Sequence, residues 1–285
     1  MSSKKEIITN LCNEIRRINS DFSFNIVEVG ARPLDGEGEI FYHLAEFFPG
    51  SKFILFEPDD ELCKELNEKS SDSFTYYPYA LGENDEEREF YNTQSPLCSS
   101  LYKPNKQIVD SYNGLDMARL KDSFKIRTRR LDDIVKECGI PSIDFVKIDV
   151  QGAELDIFKG GSESIKECVA IISEVEFIPI YEEQPLFGDV CTFLDEKGLM
   201  FHKFFGTYGR TLKPVMLNND QYAATQDMWT DAFFMKNIFN IGSFSDDQLL
   251  KLALLAYLYD SPDVAYNCFY MYDHRNDTAL RTMMS

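Results

Sequence analysis

Apolar positions along this chain alternate between helical and strand-like rhythms. Ile7, Ile8, Leu11, Ile15 and Ile18 repeat at helical spacing, so residues 1–20 read as an opening amphipathic helix. Phe24 to Gly30 is a short apolar run ending in glycine, the pattern of a buried parallel strand. A loop with Pro33, Gly36 and Gly38 follows, then a helical pattern through Ile40, Phe41, Leu44, Phe47 and Phe48. Lys52 to Pro58 reads as the second strand, Asp59 to Lys69 as its helix, and Phe74 to Leu81 as a third strand. Glu87 to Thr93 and Phe124 to Arg130 look extended, separated by a polar excursion too long for an ordinary connection.

Alternation then resumes. Leu131 to Cys138 is expected to be helical, Ile143 to Val150 a strand, Ala153 to Gly160 a helix, and Val169 to Val175 a strand. A helix at Phe187 to Lys197 and strands at Leu199 to Phe205 and Asp231 to Lys236 complete the series. Repeated units of this size imply an α/β fold, a parallel sheet with helices on both faces. Ser245-Asp-Asp-Gln248 is a capping-box signature before a Leu-rich helix, and Val264 to Tyr272 suggests one more after Pro262. The expected division is a domain over residues 1–240 and a helical C-terminal appendage over 241–285, through which copies of the chain would associate.

Composition narrows the class. The 285 residues are 44% hydrophobic, enough for a core without disulfides, and 29 basic against 48 acidic side chains give a formal charge of −19. That field repels phosphate backbones and anionic lipid, so neither nucleic acid nor membrane is an expected partner. The one dense basic stretch, Lys121, Lys125, Arg127, Arg129 and Arg130, reads as a solvated face. Seven dispersed cysteines without a C-x-x-C pair suggest reduced thiols. With no secretion signal and no apolar stretch near the roughly 20 residues of a membrane helix, the expected location is cytoplasmic.

Three acids at strand ends carry the candidate chemistry. Glu28, Gly30 and Ala31 close the first strand, either as an ordinary tight turn or at the crevice where an open α/β sheet binds a nucleotide-like ligand. Glu57, before Pro58, ends the second strand, where a carboxylate can accept hydrogen bonds from both ribose hydroxyls of an adenosine. Asp149 ends the strand Ile143 to Val150, either in the same crevice or as the cap of the following helix. Adenosine is common to NAD and S-adenosylmethionine. The loop lacks three glycines in dinucleotide register, and Glu28, Asp35, Glu37 and Glu39 would repel a pyrophosphate while tolerating an ammonium and a sulfonium.

An ordered set of motifs resembles the FkbM-type methyltransferases over roughly Phe24 to Phe205. It runs Val-Glu-Val-Gly-Ala at 27–31, Phe-Glu-Pro at 56–58, Tyr-Ala-Leu-Gly at 79–82, Ser-Ser-Leu at 99–101 and Arg-Leu-Asp-Asp at 130–133. Asp-Phe-Val-Lys-Ile-Asp-Val-Gln-Gly-Ala-Glu at 144–154 is the most specific, and Ser-Glu-Val-Glu-Phe follows at 173–177. The resemblance implies a class I Rossmann-like fold with a mostly parallel seven-stranded sheet, and transfer of a methyl group from S-adenosylmethionine to a hydroxyl of a sugar, glycan or natural product. By the same resemblance Glu28 and Gly30 match the first cofactor motif, Glu57 the ribose acid, Ala80 and Leu81 the adenine segment, and Asp149 the acid beside the transfer centre. The chain departs from the family in the loop after Gly30, where Arg32 and Pro33 extend a compact turn.

Oxygen methylation requires something to take the hydroxyl proton. Candidates are Asp149, Glu174, Glu176 and His202. Asp149, Glu174 and Glu176 would also suit a divalent metal such as Mg, which would acidify the hydroxyl directly. His202, between Phe201 and Phe204, also reads as a packed strand residue. Residues 94–123 and the turn Tyr181 to Phe187 are expected to form a substrate lid. Two other classes stay open: a nicotinamide-dependent oxidoreductase, and a cofactor-binding interaction protein without catalysis.

Overall fold

The computed structural model describes residues 3–32, 38–140, 142–220 and 224–284. Pro33, Asp35, Gly36 and Glu37 of the loop after the first strand lie outside the described residues. Helix α1 (Lys4–Ile18) is capped by the Ser3 hydroxyl on the Glu6 N–H and buries Ile7, Leu11 and Ile15. Strand β1 (Asn25–Val29) leads to a 3₁₀ turn over Ile40–His43 and then α2 (Leu44–Phe47). Residues three apart eclipse in 3₁₀ geometry, so Phe41 and Leu44 both turn into the core. Strand β2 (Lys52–Phe56), helix α3 (Asp60–Lys69) and strand β3 (Phe74–Tyr77) follow.

The run from Phe74 to Leu81 is two strands, not one. Pro78 has no N–H for a ladder, and beyond it β4 (Ala80–Leu81) leaves the main sheet. Strands β5 (Glu87–Thr93) and β6 (Leu120–Arg129) form an antiparallel hairpin, and β4 joins β6 in parallel. Residues 94–119 between the hairpin strands form an excursion that carries α4 (Lys106–Ser111). The basic stretch of β6 is engaged in ion pairs, Lys125 with Glu87 at 2.5 Å and Arg127 with Asp85 at 2.6 Å.

The remaining elements are α5 (Leu131–Glu137), β7 (Phe145–Ile148), α6 (Glu154–Gly160), β8 (Ala170–Glu176), α7 (Phe187–Glu196), β9 (Leu199–Phe204), β10 (Trp229–Lys236), α8 (Asp246–Leu258) and α9 (Pro262–Asn276). The seven-stranded sheet has the order β3-β2-β1-β7-β8-β10-β9, parallel from β3 to β8, with β10 antiparallel to both its neighbours. This is a Rossmann-like α/β sheet. The chain winds outward from β1 to β3 and then returns to β7 on the other side of β1. That reversal opens a crevice at the carboxyl ends of β1 and β7.

Alternation along the strands feeds two cores. Ile26, Phe145 and Phe233 face one core with α1, α8 and α9, whereas Val27, Val146 and Phe234 face the other with α5, α6 and α7. Helix α8 is buried nearly all round, which explains why its apolar residues show no single stripe. The Ser245–Gln248 capping box forms as read. Exposed aromatics of the C-terminal helices are Tyr266 and Tyr270 of α9. Among the described residues no helix is long and apolar enough to cross a membrane.

Candidate functional site

A cavity of about 590 Å³ opens at the crevice, lined on its sheet side by the ends of β1, β2, β4, β7 and β8. At the end of β1, Gly30 has φ +83°. A Cβ there would lie 2.0 Å from the Asp149 carbonyl oxygen, so the close approach of β1 to β7 requires glycine. The Gly30 and Ala31 N–H groups both donate to the Phe56 carbonyl at 3.0 Å. Those two donors point across to β2.

Glu57 is buried at the cavity wall, beside Pro58. Its Oε1 accepts the Asp59 N–H at 3.1 Å, and its Oε2 lies 3.8 Å from the Arg32 guanidinium. Burial pushes this carboxyl above its ordinary value, against the pull of the Asp59 N–H and Arg32. Ala80 and Leu81 line the wall alongside Phe56 and Tyr79. The result is an apolar slot with one carboxylate at its rim.

The strand β7 ends in a strained turn. Gln151 has φ +59° and Gly152 φ +98°, and left-handed backbone costs a non-glycine residue about 1–2 kcal/mol. Glu154, fully buried, accepts the Val150 and Gly152 N–H groups at 2.9 and 3.2 Å and locks the turn from below. Burial holds its carboxyl up to about 7. Held this way, the Gln151 amide donates to Asp149 Oδ1 at 2.8 Å and to Glu174 Oε2 at 2.7 Å. The Tyr181 hydroxyl lies 3.0 Å from Gln151 Oε1 and 2.9 Å from the Cys98 carbonyl, which share its one proton.

Glu174 and Glu176 fall on the same face of β8, both at the cavity. Burial first, then the neighbouring carboxylates, push both well above the usual range. The 94–119 excursion and the hairpin close the other side with Phe90, Leu97, Met117 and Phe124, joined by Arg210 and Trp229 from beyond β9. Anchors tie this side down: Ser100 Oγ donates to the Gln151 carbonyl at 2.7 Å, and Asp156 of α6 holds Arg88 at 2.6 Å and the Tyr102 hydroxyl at 3.0 Å.

The structure therefore brings together Gly30, Glu57, Pro58, Ala80, Leu81, Asp149, Glu174 and Glu176. Three residues named from sequence stand apart. Glu28 does not line the cavity: its carboxyl accepts the Tyr42 hydroxyl and is buried near Lys147 and Glu39, with burial raising it to about 7. Ala31 is packed in the core with Phe41 and Leu44. His202 is removed from the acids because β10 inserts between β8 and β9 and carries β9 to the sheet edge, where the ring lies 3.0 Å from Ser261 Oγ.

The metal trio also changes composition. Carboxylate oxygens of Asp149, Glu154 and Glu174, with Glu154 in place of Glu176, lie within 4.8 Å of one another. Each of the three already accepts protein N–H donors, from Gln151 or from the turn backbone. Gln151, Glu154, Arg210 and Trp229 are the site residues that the sequence reading missed, whereas Tyr181, expected in the lid turn, does line the cavity. For Gln151 the available signal was a polar residue between a strand-end acid and a glycine.

Comparison with known proteins places the chain among methyltransferases. The family described as "Methyltransferase FkbM domain" matches residues 25–199. The 2-O-methyltransferase NoeI of Sinorhizobium fredii is 27% identical over 145 residues, covering 48% of this chain and 58% of NoeI. The hexuronic acid methyltransferase AglP of Haloferax volcanii is 24% identical over 123 residues, covering 43% and 46%. Methyltransferase sdnD of Sordaria araneosa is 24% identical over 227 residues, covering 68% and 80%. The chain thus matches little more than half of NoeI and less than half of AglP.

Proposed function

Since the chain belongs to the FkbM methyltransferase family, we propose that it uses S-adenosylmethionine to methylate a hydroxyl oxygen of a sugar, glycan or natural product. The observation that carries this reading is one cavity lined by both Glu57 and Asp149. Glu57 would accept the ribose hydroxyls, and Phe56, Pro58, Ala80 and Leu81 would hold the adenine. When bound, this group supplies an electrophilic methyl on a sulfonium. Both N–H groups at the end of β1 are engaged by Phe56, which disfavours the pyrophosphate cradle that an NAD-dependent oxidoreductase needs.

The chain's own residues handle the proton. Asp149 faces the cavity and takes the proton that the acceptor hydroxyl loses as the new C–O bond forms. Burial beside other acids pushes Glu174 and Glu176 well above the usual carboxyl range and favours their neutral forms, so the proton is assigned to Asp149. Gln151 fixes the direction of the Asp149 carboxylate through its 2.8 Å bond. Residues 94–123 are the cover that excludes water from this step. A proton path through Asp149 needs no metal ion.

Of the relatives, one is named a 2-O-methyltransferase and another a hexuronic acid methyltransferase, and these names support the hydroxyl class. The test is mass spectrometry of sugar and natural-product libraries incubated with the protein and trideuteromethyl-labelled S-adenosylmethionine. Transfer of the label to oxygen, lost in Asp149→Asn while cofactor binding persists, is the expected result. Label on nitrogen or carbon, or equal activity of Asp149→Asn, contradicts it.

A further inference from the structure

Among the described residues, most exposed large apolar side chains fall in two stretches of chain, 97–124 and 208–217. Leu97, Met117 and Phe124 stand on the cavity wall with 50%, 49% and 46% of their surface open. Leu120 of the first stretch, and Leu212, Val215, Met216 and Leu217 between β9 and β10, are exposed as well. These two stretches are stitched together: Tyr112 and Leu212 form an antiparallel bridge, and the Asn113 amide donates to the Val215 carbonyl at 2.8 Å. The outer residues do not line the cavity, so nothing bound wholly inside it covers them.

Charges beside this shelf neutralise one another, Arg119 with Asp110 and Asp116, and Lys213 with Asp116. Inside, Phe90, Leu115 and Ile126 extend the apolar wall, while carboxyls gather at the floor with Asp149, Glu174 and Glu176. Such a surface suits an uncharged chain leading to a polar head. A contiguous apolar patch joined to a cavity mouth is the usual mark of a ligand or partner site.

Building on the proposed methyl transfer, we propose that the acceptor is an amphiphile. Its hydroxyl-bearing head enters the cavity toward Asp149, and its alkyl or acyl chain lies along the shelf from Met117 and Phe124 to Leu212 and Val215. Continuity between shelf and cavity favours the acceptor's own chain over a second copy. The formal charge of −19 opposes an anionic bilayer as the alternative occupant.

Trp229, the chain's one tryptophan, lines the cavity and reports on its occupancy. Its fluorescence is to be titrated with octyl β-glucoside, below the micelle concentration, and with methyl β-glucoside. Each methylene buried is worth about fourfold in affinity, so with about two to three of its seven extra methylenes buried on the open shelf octyl is expected to bind about 30-fold tighter or more. Val215→Asp and Leu212→Asp should each weaken octyl binding about tenfold while leaving S-adenosylmethionine binding, read by calorimetry, unchanged.

Equal affinity for the two glucosides overturns the proposal, as does octyl binding indifferent to both substitutions. Sedimentation showing a dimer that Leu212→Asp dissolves overturns it in favour of a second copy. Flotation with phosphatidylcholine vesicles that the same substitution abolishes overturns it in favour of a bilayer. If wild type binds octyl glucoside selectively but not S-adenosylmethionine, the donor reading fails while the apolar subsite stands.

Discussion

Gln151 donates one amide hydrogen to Asp149 at 2.8 Å from a backbone conformation, φ +59°, that its side chain does not favour. The second hydrogen goes to Glu174. A strained residue that satisfies two carboxylates at a cavity floor suggests that local stability has yielded to aim.

Asparagine and glycine both tolerate left-handed backbone, yet neither reaches both carboxylates. Gln151→Asn and Gln151→Gly are therefore expected to melt no lower than wild type while kcat falls about tenfold to a hundredfold, the worth of a bond to a charged group. The KM for S-adenosylmethionine should stay put. Unchanged kcat in both folded variants would remove Gln151 from the account.

Stability should fall as pH rises toward neutrality. Burial holds Glu28 and Glu154 at about 7 and pushes Glu174 and Glu176 well above the usual range, whereas an unfolded glutamate titrates near about 4.3. Each raised group contributes stability that is complete below its unfolded value and is lost as pH climbs through its folded one. Ligand-free melts are expected to show Tm dropping between about pH 5.5 and about pH 8, with a shallower slope in Glu28→Gln, which keeps an acceptor for Tyr42. A Tm that climbs over that interval means these carboxyls are ionised in the fold.

Chelation should change nothing. Asp149, Glu154 and Glu174 stand close enough to share an ion, but a proton path through Asp149 needs none. Turnover is expected to survive EDTA and to gain nothing from added Mg²⁺. Loss on chelation with recovery on Mg²⁺ would return the metal to the mechanism.

The parallel strands were readable because strands buried on both faces appear as unbroken apolar runs between turns, as in Asn25–Val29 and Lys52–Phe56. Gly30 and Glu57 were readable from position: a chain that must close on β7 needs glycine, and the end of β2 opens on the crevice. Facing was harder. Glu28 shares its side of β1 with Ile26, which packs against the α1 core, so its place in a motif pointed to the cavity while its parity pointed away. His202 needed the sheet order, since the insertion of β10 is what separates β9 from the acids. Gln151 depended on a partner 23 positions later and on a positive φ, neither of which local sequence displays.

Isothermal titration of the purified chain with S-adenosylmethionine and with NAD tests the central claim most directly. The account predicts saturable binding of S-adenosylmethionine near about micromolar Kd, weakened about tenfold or more by Glu57→Ala, and no heat from NAD. Saturable NAD binding with none for S-adenosylmethionine would contradict it.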